Sequence, residues 1–132
     1  MKVKPICALT LKSLFVAVLF AFLLSCDKDT DYPKDSIYGP WQCFQDDLFR
    51  PYDVSISSLN ADDETLIIIR NFHNLGFHVE TFATVSDTII EIVYVEPYHD
   101  IHGTGYVKRD FTAIQWEYFH SGINYYSVFL RP

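Results

Sequence analysis

From Tyr38 to the C-terminus, short runs of alternating apolar and polar residues are broken every few positions by turn-formers, a pattern that leaves little room for anything but antiparallel β-structure. Tyr52, Val54 and Ile56 alternate with Asp53, Ser55 and Ser57, the period of a strand with one wet and one dry face. Thr65–Ile69 is a continuous, β-branched-rich run, as in a strand covered on both faces or at its middle. Phe77, Val79, Ala83 and Val85 alternate with His78, Glu80 and Thr84. Thr88–Val95, Ile101–Lys108, Ala113–Phe119 and Ile123–Arg131 follow, and with a short strand at Trp41–Phe44 the total is eight. Asn60–Glu64, Asn71–Gly76, Ser86-Asp87, Glu96–Asp100, Arg109-Asp110 and Ser121-Gly122 are the breaks, and no amphipathic helix lies among them. Connections this short make successive strands antiparallel neighbours, an all-β up-and-down meander. Closing the meander removes its exposed edges, so a small barrel of about eight strands is the expectation and a β-sandwich the alternative. Such a barrel holds either its own side chains or one small ligand. Eleven Phe, nine Tyr and two Trp favour side-chain filling.

One register is open to a closer reading. A hairpin centred on Arg109-Asp110, with a loop of two or four residues, pairs Gly105 with Ile114, Gly103 with Trp116 and Ile101 with Tyr118. A ring lying over a strand glycine restores the packing that the missing side chain forfeits, which gives both glycines a structural reason.

The N-terminal third has a different character. Lys2, Lys4 and Lys12 flank an apolar run that ends in Leu23-Leu24-Ser25-Cys26, and an acidic, polar stretch follows at once. A basic start, an apolar core and a small residue before cysteine are the pattern of a bacterial lipoprotein signal, cut before Cys26 and lipidated on it. The uncharged run from Ser13 to Ser25 is shorter than the roughly 18–20 residues that span a bilayer, so cleavage is expected over retention as an anchor helix. The reading divides the chain into a signal peptide at 1–25, an acidic tether at 26–37 and a single β domain at 38–132.

Charge and cysteine content exclude several classes. The three lysines leave with the signal, so the remainder carries seven basic against seventeen acidic residues, net −10. Such a surface repels phosphates and anionic headgroups, and no nucleic-acid partner is expected. Cys7 leaves with the signal and Cys26 takes lipid, so Cys43 stands alone, read as a small buried hydrophobe. The acids at 27, 29 and 31 open like a calcium loop, but Tyr32 and Tyr38 stand where such a loop needs Gly and a bidentate Glu.

His99-Asp100-Ile101-His102 is the densest set of metal-capable side chains; His73, His78 or His120 would have to complete it, and no metal site or cofactor is expected. The chain lacks Gly-x-Ser-x-Gly, His-Glu-x-x-His and a glycine-rich phosphate loop, and no enzyme is expected.

The segments Gly39-Pro40-Trp41, Thr65–Gly76 with its Asn-Phe-x-Asn-Leu-Gly turn, Ile101–Gly105 and Ile114–Tyr118 together resemble small lipoproteins of Bacteroidota-type bacteria. Their domain is similar to the calycin, or lipocalin-like, β-barrel. The resemblance implies a fold and a place in the cell envelope, and no biochemical activity comes with it. Cys26-Asp27-Lys28-Asp29-Thr30-Asp31 is similar to the signal that sends such lipoproteins to the outer face of the outer membrane. The same resemblance implies O-glycosylation of Ser36 in Asp35-Ser36-Ile37; Asp87-Thr88-Ile89 also matches but falls where a strand begins.

The functional expectation is thus a lipid-anchored envelope protein, attached to the membrane through Cys26 and serving as a binding or accessory module. Its ligand would be a small apolar molecule inside the barrel, a glycan on exposed aromatics, or another protein. Trp116, Tyr106 and Tyr118 are the candidate ligand contacts, with Tyr94, Tyr98, Tyr125 and Tyr126 as further rings able to stack on a sugar while donating a hydrogen bond.

Overall fold

A computed structural model of the protein describes residues 36–132. Eight antiparallel strands run in chain order around a closed barrel: β1 Gly39–Gln45, β2 Tyr52–Asn60, β3 Asp63–Arg70, β4 Glu80–Ser86, β5 Ile89–Glu96, β6 Ile101–Val107, β7 Ala113–His120 and β8 Ile123–Leu130. Closure comes from β1 pairing with β8, Gln42 opposite Leu130 through Gln45 opposite Ser127. That ladder rules out the sandwich alternative. The polar turns expected from sequence make the hairpins. Ser121-Gly122, with positive φ at both residues (48° and 89°), has the twist that matches two flanking strands.

The interior is packed with side chains. Trp41, Val54, Ile67, Ile69, Phe72, Ile90, Ile114, Trp116 and Phe129 are almost wholly buried, and Cys43 lies among them. Phe72 belongs to no strand. It sits in a 3₁₀ turn, Phe72–Asn74, within the β3–β4 connection, and its ring meets Trp116 (centroids 5.0 Å apart), Tyr118 (4.8 Å) and Phe129 (5.9 Å) at steep angles. Edge-to-face contacts of this kind contribute beyond the area they bury.

The turn is pinned by Asn71, whose amide donates to the Asp53 carbonyl (2.6 Å) and whose side-chain oxygen accepts from the Gly76 N–H (2.7 Å). Asn71, His73 and Asn74 all have positive φ, which costs free energy and persists only where surrounding contacts hold it. The sequence pattern read this stretch as a break between strands; the structure makes it a plug. For the same reason β4 begins at Glu80 and not at Phe77, which is exposed on the connection.

Two further readings need correction. The β6–β7 hairpin is centred on Asp110-Phe111, one position later than expected: Lys108 N–H bonds to the Ala113 carbonyl (2.9 Å) and Asp110 Oδ1 accepts from both the Thr112 backbone and its hydroxyl. The register moves by two: Gly105 faces Trp116, Gly103 faces Tyr118 and Ile101 faces His120. An even shift leaves every side chain on its expected face. A Cβ on Gly105 would come within 2.9 Å of the Trp116 ring, so the ring does lie over a glycine, though not Gly103.

The tether also ends earlier than expected. Ile37 is buried and its carbonyl accepts the Trp41 indole N–H at 2.8 Å, so Ser36 and Ile37 belong with the barrel. The chain comes in at one end, here called proximal, which also holds the β2–β3, β4–β5 and β6–β7 turns and Arg131. The distal end holds the four other connections, Asp46–Pro51, Asn71–Val79, Pro97–Asp100 and Ser121-Gly122.

Candidate functional site

Inside the distal end, β1, β2, β7 and the plug bring polar side chains into one hydrogen-bonded chain. Gln45 accepts from the hydroxyls of Tyr52 (3.2 Å) and Tyr118 (3.1 Å) and donates to Asp47 (2.6 Å). The Tyr118 hydroxyl also meets His73 Nδ1 at 2.6 Å. His73 in turn packs edge-on against His120 and Tyr125, both 4.6 Å away by ring centroid, and His99 lies 6.2 Å from His120.

Burial controls the protonation of this group. It pushes the Tyr52 and Tyr118 hydroxyls far above the usual tyrosine range, aided by the neighbouring Cys43. Burial also raises the Cys43 thiol, against the opposing effect of Tyr52 and Ser127. His73 is held below the ordinary histidine range, first by burial and then by His120, with Asp47 opposing. His120 is lowered likewise by burial and His99, against Asp100. The two hydroxyls, the thiol and His73 are each biased toward the neutral form, and a thiol raised in this way is a poor nucleophile.

The outer wall of β6, β7 and β8 is built differently. The ladders set His102 beside Phe119 and Phe119 beside Asn124 in the row nearest the distal end. The next row is Thr104, Glu117 and Tyr126, and the third Tyr106, Gln115 and Val128. Shallow grooves flank the aromatic residues here, one lined by Glu117, Phe119, Asn124 and Tyr126, another by Tyr106, Lys108 and Gln115. On the adjoining β4–β5 wall, Phe82 and Tyr94 stack on each other (4.4 Å, 11° between planes), and Ile68, paired with Phe82 on β3, is buried on the outer face.

The three candidate contacts are therefore separated. Trp116 and Tyr118 are 1% and 4% exposed in the interior, whereas Tyr106 is 46% exposed on the outer wall. Tyr125 turns inward and stacks on Tyr118 (5.4 Å), while its neighbour Tyr126 is 61% exposed. Of the metal-capable cluster, His102 pairs with Asp100 (3.7 Å) and stacks on Phe119, on the other side of the wall from His99. Among the described residues no group of three or more His, Cys, Asp or Glu is placed to hold a metal ion.

Ser36 is half-buried, its hydroxyl accepting from the Tyr38 N–H (3.3 Å) and its carbonyl held by Arg131. Thr88 of the second glycosylation match lies in the β4–β5 turn. Cys26, the signal and most of the tether lie outside the described residues. The distal network was missed at the level of sequence because its members come from positions 45, 52, 73, 118 and 120. The Asn-Phe-x-Asn-Leu-Gly motif, which places His73 beside the plug, was the available signal.

No protein-family model, curated protein or solved structure matches this chain.

Proposed function

We propose that the chain is a non-enzymatic lipoprotein of the bacterial outer membrane, held by lipid on Cys26 with its domain exposed at the cell surface, and that it acts as a binding or accessory module through the outside of its barrel. The observation that carries the outward-facing part is the filled interior: Trp41, Phe72, Trp116 and Phe129 occupy the space in which a lipocalin-like carrier would keep an apolar ligand. The anchoring part is supported by Leu23-Leu24-Ser25-Cys26 and by the acids that follow it. The eight-stranded barrel agrees with the calycin-like resemblance. Nine residues lie between Cys26 and the docked Ser36–Ile37 segment, a reach of roughly 35 Å when extended.

Two measurements test the two parts. Cys26→Ala should release the protein from the membrane fraction or leave its precursor uncut, and an unchanged mass and fractionation would overturn the anchor. Titrating the chain with long-chain fatty acids should leave its tryptophan emission blue-shifted and unquenched. Saturable quenching would restore the carrier reading.

A further inference from the structure

We propose that the outer wall of β6–β8 is a binding site for a neutral oligosaccharide; this deepens the reading that the barrel acts through its exterior. The first support is where the rings stand. Tyr126 and Tyr106 project from the wall two strands and one pleat apart, roughly 12 Å between their Cα positions by ordinary sheet spacings. Both remain substantially exposed, and neither is stacked on another aromatic ring. A sugar in its chair form offers one face of C–H groups to a ring and a rim of hydroxyls to whatever flanks it.

The second support is what lies between and beside the rings. Glu117 and Gln115 occupy the middle strand on the diagonal from Tyr126 to Tyr106, and Asn124 lies one pleat from Tyr126 on its own strand. Carboxylate and amide groups are planar and can each meet two adjacent hydroxyls. The stacked His102–Phe119 pair (4.7 Å) forms a wall of the groove along Tyr126.

The adjoining β4–β5 wall acts as an internal comparison. There Phe82 and Tyr94 use their faces on each other and cover Ile68, so the rings serve the sheet itself. On β6–β8 the rings are spaced apart with hydrogen-bonding groups between them. Charge then selects the class of sugar. Glu117 sits at the centre of the site and the chain carries a net −7, which disfavours uronic acids and sulfated or phosphorylated glycans.

The test is affinity electrophoresis of the full chain in detergent, through gels containing starch, mannan, xyloglucan or laminarin, with polygalacturonate as the anionic comparator. At least one neutral polysaccharide should retard the protein, and polygalacturonate should not. Tyr126→Ala and Tyr106→Ala should each weaken the retarding interaction about tenfold or more. Tyr94→Ala, on the adjoining β4–β5 wall, should leave it unchanged, and near-ultraviolet circular dichroism should show all three variants folded. The proposal is overturned if none of the four neutral polysaccharides retards the chain, if both β6–β8 ring variants migrate as wild type does, if Tyr94→Ala loses the interaction equally, or if polygalacturonate retards as strongly. Such a failure would leave the Cys26→Ala result untouched and so would bear on the ligand alone.

Discussion

The two ends of the barrel are closed by different chemistry. At the proximal end a single cation does most of the work. The Arg131 guanidinium lies 3.8 Å from the centre of the Trp41 ring and donates to the carbonyls of Tyr38 (2.9 Å), Pro40 (3.3 Å), Phe111 (3.3 Å) and Ser36. Burial lowers its pKa somewhat, yet an arginine stays charged at any physiological pH, and its partners are carbonyls and a ring that do not titrate. At the distal end the closure is an inserted ring, Phe72, packed on Trp116, Tyr118 and Phe129, with Gln45, Tyr52 and His73 hydrogen-bonded to one another through Tyr118 and Gln45, and with His73 and His120 held below the ordinary histidine range. Through the histidine range the Arg131 clamp is indifferent to proton concentration, whereas the distal closure depends on it. Sealing a barrel is therefore a separate problem at each end, solved with whatever the local turns supply.

The largest break in that contrast should come from Phe72→Ala. Removing a fully buried ring from contact with Trp116, Tyr118 and Phe129 should cost about 3–5 kcal/mol. Native-state hydrogen exchange should show amides around the distal connections opening first while β1 near Trp41 stays protected. Uniform loss of protection would mean the ends are not independent.

Arg131→Ala comes next, at about 2–3 kcal/mol, since it removes charge-assisted hydrogen bonds and a cation–π contact from a half-buried site. Urea denaturation should report the loss, and Arg131→Lys should recover less than half of it, because an ammonium cannot reach several carbonyls in one plane. Full recovery by lysine would show that charge alone matters there.

The smallest effect is a pH dependence. His73 and His120 bind protons less readily folded than unfolded, so their contribution is complete above the ordinary histidine pKa of about 6.5 and is lost as pH falls below it. Asp47 and Asp100 moderate the loss. Melting temperature should drop by a few degrees between pH 7 and pH 5, and His73→Gln should flatten that slope while Arg131→Ala leaves it unchanged. Below about pH 4 a second decline belongs to Asp63 and Asp110, whose carboxyls are held low by Thr65 and Thr112.

The fold was legible because it rests on a local signal. Alternation set which residues of β2 and β7 face inward, and the unbroken run of isoleucines marked the one strand buried on both sides: Ile67 and Ile69 point into the barrel, while Ile68 is covered from outside by Phe82. What escaped depended on a single turn or on partners distant in the chain. The β6–β7 register slipped because the loop is centred on Asp110-Phe111, with Asp110 bonded to Thr112, one position later than Arg109-Asp110. Pairing puts Tyr118 in the core and Tyr106 on the outside. Arg131 gave no warning at all, being one charged residue beside the C-terminal proline.

The paired position of β1 has a mechanical consequence. A load passed along the tether would reach the domain at Ile37 and Gly39 and pull β1 along its own length. Because β1 is laddered to β2 on one edge and to β8 on the other, the bonds on both edges lie across the direction of pull and would be strained together. A strand loaded in shear must break many bonds at once, whereas one peeled from a free edge breaks them singly. If the chain is anchored through Cys26 as proposed, the barrel would thus resist most strongly along the direction of that anchor.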